Sequence, residues 1–139
     1  MSNRIIAQGN YRPAKRFGAL IYTAGMTPRV NGTLIATGKI TSEEPFSTWK
    51  DAVRQAAANA LSAAHSVLEE GESIGGILNM FVFLNTADDF TNHAKIADFA
   101  SEYLTEQLGD NGIGSRTAIG VKTLPGNSPV EIQLIAFAQ

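Results

Sequence analysis

The chain has 139 residues, of which 44% are hydrophobic and 17% are charged, and its formal net charge is -2. This length and composition predict one folded domain, residues 1–139, with a sizeable core. The weak negative charge gives no reason to expect a nucleic acid or an anionic membrane as partner. The absence of cysteine excludes disulfides and thiolate chemistry, and no apolar segment is long enough for a signal peptide or a membrane span. We therefore expect a cytoplasmic protein.

Two strand candidates lie in the first part of the chain, at residues 19–24 and 33–40. Between them, Asn31-Gly32 is a strong hairpin signal because both residues tolerate a positive φ. The pattern predicts a β-hairpin.

A long amphipathic helix is predicted next. Ser47 or Thr48 can cap its first turn, and Gly71 is a suitable stop. Its apolar residues recur at three- and four-residue steps: Trp49, Ala52, Val53, Ala56, Ala60, Leu61, Ala64, Val67 and Leu68. The many alanines allow this helix to approach a sheet closely.

The second half of the chain predicts a strand, a helix and two further strands. Residues 77–84 form a continuous apolar run, which is typical of a strand covered on both faces. A helix is predicted from residue 88 or 89 to residue 107 or 108, and strands at 116–123 and 130–137. The order β-β-α-β-α-β-β predicts an α/β fold with two helices on one face of a mixed sheet. Because the other face is also apolar, we expect a second copy of the chain to cover it.

The first of the last two strands begins with an arginine. Strand alternation places Arg116, Ala118 and Gly120 on one face. A guanidinium can bind a carboxylate through two parallel hydrogen bonds, and the small neighbours leave room for a small carboxylate-bearing molecule. The alternative is an ion pair with Glu131 on the neighbouring strand, and strand pattern alone favours it.

Metal and phosphate sites have little support in the sequence. His65 and His93 are the only histidines, they lie on different predicted helices, and no metal-binding motif surrounds them. His93 is either an ordinary residue of the helix surface or a site residue. The glycine-rich segment 109–116 follows a helix and precedes a strand, the reverse of a phosphate-binding loop. We expect no metal.

The spacing of the C-terminal residues is that of a known signature. Arg116 is followed by Val121, then by Leu124-Pro125, and Glu131 comes six residues after the proline. In this the chain resembles the Rid family of reactive intermediate deaminases, also called the YjgF family, and the resemblance extends over nearly the whole chain. It implies a chorismate-mutase-like fold, α/β or α+β, with a mixed sheet, two helices on one face and a homotrimer with sites between subunits.

The resemblance also implies an activity: hydrolysis of 2-enamine and 2-imino acids to 2-keto acids and ammonia, with no cofactor. Arg116 matches the arginine that holds the substrate carboxylate. Glu131 matches the acidic residue that positions or activates water. Tyr11 and Gly25 match a tyrosine that borders the pocket and a glycine whose backbone lines it, while Ala118 stands where the family has a cysteine.

Some of the family's polar lining is missing. Ala94 stands where the family has an asparagine, although His93 beside it could substitute in part, and Ala24 replaces a serine. These departures leave open an alternative, a trimeric module that binds small carboxylates such as 2-keto acids without turning them over. Cleavage of RNA, which is associated with some members, is disfavoured by the net charge of -2.

Overall fold

A five-stranded mixed sheet carries two long helices on one face in the computed structural model, which describes residues 4–139. The spatial order of the strands is β1-β2-β7-β5-β6, and only the β5–β6 pair is parallel. These five strands are β1 (Ala14–Phe17), β2 (Leu20–Thr23), β5 (Ile74–Asn85), β6 (Ser115–Val121) and β7 (Val130–Ala138). The predicted mixed sheet with two helices is confirmed for the residues described. The first three residues of the predicted domain lie outside them.

The helices α1 (Lys50–His65) and α2 (His93–Leu108) bury the core between themselves and the sheet. As expected from its composition, α1 turns a nearly continuous set of alanines inward, so its backbone lies close to the strands. From the sheet, every second residue of β7 meets the helices: Val130, Ile132, Leu134 and Ala136 are fully buried. This alternation assigns each strand residue to the helix face or to the open face.

The first strand of the sheet, β1, was missed, and the predicted strand at residues 33–40 was wrong. Asn31 and Gly32 do form the expected turn, with φ of 53° and 86°, but they join two-residue strands, β3 (Arg29–Val30) and β4 (Thr33–Leu34), outside the main sheet. The residues Asn31 and Gly32 determine the turn. The length of the flanking strands depends on pairing with further strands, and β3 and β4 pair only with each other.

Both helices are shorter than predicted. The first ends at His65, where the Ser66 hydroxyl bonds the Ala63 carbonyl at 2.6 Å, and Gly71 serves a later turn with φ of 84°. The second begins at His93 rather than at residue 88 or 89. Phe90 before it is buried edge-on against Phe46, with ring centroids 6.4 Å apart. This anchor holds residues 88–92 outside the helix.

The open face of the sheet is rich in apolar side chains. Phe81 and Phe83 stack with centroids 6.2 Å apart, and Tyr22 and Ile119 are 45% and 44% exposed. A patch of this kind is characteristic of a surface that associates. Its coverage by another copy of the chain stays a prediction.

Candidate functional site

Arg116 lies on the helix face of β6 and is held by α2. Its Nη1 donates to Asp98 Oδ1 at 2.9 Å and to Ser101 Oγ at 3.0 Å. The side chain is 23% exposed. Within residues 4–139, Nε and Nη2 make no hydrogen bond, so they remain available to a ligand. A guanidinium fixed at one nitrogen and open at two others can bind a carboxylate.

The predicted alternative, an ion pair between Arg116 and Glu131, is wrong. Strand β5 separates their strands, and Glu131 pairs with Phe83, which in turn pairs with Ile119. Glu131 and Ile119 therefore share a face, and Arg116, three residues before Ile119, points to the other one. The last two strands are consecutive in the chain but are not neighbours in the sheet.

The partner that sequence reasoning missed is Asp98. It lies on α2 three residues before Ser101, a spacing that puts both on one side of a helix. That periodicity was available in the sequence. What was not available is the crossing of α2 over the edge strand β6, which brings this side of the helix to Arg116.

Glu131 packs on the backbone of Gly25. A Cβ built on Gly25 would lie 2.2 Å from Oε2 and 2.8 Å from Cδ of Glu131, so only glycine leaves room for this carboxylate. Among the described residues, the Glu131 side chain has no ion-pair or hydrogen-bond partner. Burial without a partner raises the pKa of the Glu131 carboxyl above its usual 4.5. Such a group can accept a proton more readily than an exposed carboxylate.

Tyr11 lies near the same glycine. Its hydroxyl accepts a hydrogen bond of 3.1 Å from the Gln8 backbone N–H, and Tyr11 and Gly25 line one narrow cavity of about 40 Å³. That volume holds little more than a water molecule. This cavity alone is too small for an amino-acid-sized ligand.

His93 lies at the other end of the helix face from Arg116, at the first residue of α2. Its ring meets Phe90 edge-on at 5.3 Å, and its Nε2 approaches Gly120. His93 and Gly120 line an open cleft of about 310 Å³ together with Thr86 and Lys122. Thr86 was not singled out from the sequence, where an isolated threonine at a strand end carries no signal.

The six predicted site residues thus form two groups. Arg116 and Ala118 face the helices, on the side where His93 lies. Gly25 and Glu131 are in contact, and Tyr11 shares a cavity with Gly25. The two groups belong to different parts of one chain, because Arg116 and Glu131 point to opposite faces of the sheet.

Residues 4–139 contain no cluster of metal-ligating side chains and no helix that could span a membrane. No three side chains of the metal-ligating types His, Cys, Asp and Glu come together within that range. None of the helices there is both long and apolar enough to span a membrane.

Comparisons with known proteins agree on one family. The family model described as Endoribonuclease L-PSP matches residues 1–138. Protein TCP17 of Trypanosoma cruzi is 24% identical over 119 residues, which is 85% of this chain and 74% of that protein. A suggested endoribonuclease of Shewanella oneidensis superposes with a TM-score of 0.85 at 29% identity, covering 96% of this chain and 88% of that one. Escherichia coli TdcF, solved with bound serine, has a TM-score of 0.67 at 25% identity, covering 94% and 90%.

Proposed function

Because the chain belongs to the Endoribonuclease L-PSP family, which is the YjgF or Rid family, we propose that it hydrolyses reactive 2-enamine and 2-imino acids to 2-keto acids and ammonia. The observation that carries this proposal is the pair of unsatisfied groups. Arg116 has two free guanidinium nitrogens, and Glu131 is a half-buried carboxyl without a partner among residues 4–139. Arg116 can bind a carboxylate, and Glu131 can accept a proton from water.

The proposal includes a homotrimer with its sites between subunits. Within one chain Arg116 and Glu131 point away from each other, so a site that uses both needs two copies. The apolar open face of the sheet supplies a surface on which copies can associate. In such a ring, the helix face of one subunit would meet the Gly25–Glu131 side of the next.

The reaction requires little catalytic assistance from the protein. A protonated imine is already electrophilic, so its carbon needs only a water molecule held in line. Arg116 would fix the substrate carboxylate, and Glu131 would accept a proton from the water as its oxygen bonds to carbon. Glu131 then passes this proton to nitrogen, and as the C–N bond breaks the remaining hydroxyl proton goes to Glu131 or water, which releases ammonia and the 2-keto acid. No cofactor has a role in these steps.

Binding of a carboxylate has support from a relative. The similar protein TdcF was solved with bound serine, an amino acid that carries a carboxylate. Arg116 is our candidate for the corresponding contact in this chain, with Ala118 as part of the floor beside it.

The test is the rate at which an imino acid disappears. An amino-acid oxidase generates 2-imino acid in the presence of the protein, and 2-keto acid formation is followed. We expect Arg116→Ala to lower kcat/KM by about 100-fold, because charge-assisted hydrogen bonds contribute about 1.5–3 kcal/mol. Arg54→Ala is the matched control, since its pair with Glu106 on the helix surface is similarly exposed. Equal rates for Arg116→Ala and wild type would refute the carboxylate role.

A second candidate function is binding without turnover. Ala24, Ala94 and Ala118 stand where the family carries polar side chains, which favours a trimeric module for small carboxylates such as 2-keto acids. A 2-keto acid that raises Tm without any acceleration of imine loss would identify this function. RNA cleavage is less consistent with a net charge of -2.

A further inference from the structure

Small residues lie between Arg116 and the N-terminus of α2. On β6 they are Ala118, which is partly exposed, and Gly120, which is exposed. On α2, Ala94 lies one turn before Asp98 on the same side of the helix. We call this set of residues the β6–α2 groove. Arg116 lies at one end of it, and the cleft beside His93 lies at the other.

The far end of the groove carries two unsatisfied polar groups. A Cβ built on Gly120 would lie 2.6 Å from Thr86 Oγ1 and 2.8 Å from His93 Nε2. The two atoms are therefore close enough for one ligand oxygen to reach both at ordinary hydrogen-bond lengths. Thr86 is only 8% exposed, and neither side-chain atom has a hydrogen-bond partner within residues 4–139. The Thr86 hydroxyl oxygen is accessible from the cleft, so a ligand can reach it.

The charges at this end favour an anion. The Lys39 ammonium donates to the carbonyls of Thr86 and Lys122, and Lys122 itself lines the cleft. The carboxylate of Asp88 lines the cleft as well and offsets one of these two cations. Helix α2 begins at His93, and the first N–H groups of a helix attract negative charge.

We propose that the β6–α2 groove selects substrates with two carboxylates: 2-imino diacids and the 2-keto diacids formed from them. This inference rests on the proposed function, in which Arg116 binds the carboxylate next to the reacting carbon. The second carboxylate would accept hydrogen bonds from Thr86 and His93. Asp98, beside Arg116, is five positions after His93 in α2, which is about 7.5 Å along the helix axis. That spacing suits a diacid of four or five carbons.

The experiment compares two keto acids of equal length by titration calorimetry with the full chain. They are 2-oxoglutarate, which ends in a carboxylate, and 2-oxopentanoate, which ends in a methyl group. We expect the wild type to bind 2-oxoglutarate at least 10-fold more tightly. Thr86→Val, which exchanges the hydroxyl for a methyl group, should bring the ratio of affinities toward one. Thr91→Val, at an exposed position outside the cleft, is the matched control and should keep the ratio.

Gly120→Ala is a second route to the same result. Its Cβ would intrude between the two donors, so the ratio should fall although both donors remain. A wild-type ratio near one, or a ratio unchanged in both Thr86→Val and Gly120→Ala, would overturn the proposal. Failure of the proposed function gives a different result: the wild type would then not accelerate imine hydrolysis, whatever the ratio of its two affinities.

Discussion

Replacement of Gly25 by alanine tests the position of Glu131 directly. The added Cβ would lie 2.2 Å from Oε2, whereas an ordinary contact is at least 3.4 Å. The carboxylate must therefore retreat by about 1 Å, a misplacement that can cost about 100-fold in rate. Gly25 does not have a positive φ, so alanine strains no backbone. Because the displaced atoms end a flexible side chain, we expect the free energy of unfolding to fall by less than about 1.5 kcal/mol.

The assay is imine hydrolysis by wild type, Gly25→Ala, Glu131→Ala and the double variant, with Tm as the check on folding. Gly25→Ala should reduce kcat/KM about 100-fold in the wild-type background. In the Glu131→Ala background, Gly25→Ala should cause almost no further loss of kcat/KM, because the carboxylate atoms that its Cβ displaces are already absent.

Two results would contradict this reasoning. One is full activity in Gly25→Ala, which would mean that the position of Glu131 does not matter to the reaction. The other is an equal loss in both backgrounds, which would mean that Gly25 acts without Glu131.

Two further predictions concern pH. Burial raises the folded-state pKa of Glu131, so ionisation of this carboxyl lowers the stability of the fold as pH rises through that value. In urea denaturation, the stability of Glu131→Gln should match that of wild type below pH 4.5 and exceed it at pH 7. Equal urea midpoints at pH 7 would count against burial of the charge. Hydrogen bonds from Arg16 lower the pKa of Glu72 from 4.5 to about 2, so this pair stabilises the fold above pH 4.5 and stops doing so as pH falls toward 2. The Tm of wild type and Glu72→Gln should therefore converge over that window, and a constant difference would show that the pair does not titrate as described.

The sequence predicts most of the sheet and both helices because their patterns are long. Apolar residues recur at helical spacing along the sixteen residues of α1, and such periodicity survives errors at individual positions. β1 has four residues, with alanine as its one buried position, so it lacks an apolar alternation. Its place at the sheet edge depends on pairing with β2, which is a property of the folded chain.

The face on which a candidate strand residue lies could be predicted from the sequence, but the arrangement of the candidate residues could not. Alternation correctly placed Arg116, Ala118 and Gly120 on one face. It could not reveal that β5 lies between β6 and β7, because strand order depends on how the chain crosses over the sheet. The contact between Gly25 and Glu131 joins residues far apart in sequence. No local pattern indicates such a contact.

The placement of Arg116 and Glu131 on opposite faces has a consequence for how such a protein can diversify. Under the proposed function, residues of the helix face recognise the substrate, while the Gly25–Glu131 contact on the other side handles the water. A substitution at Ala94, Ala118 or Gly120 can then change which acid is accepted without disturbing the packing around Glu131. Recognition and reaction can be inherited as separate traits of one short chain.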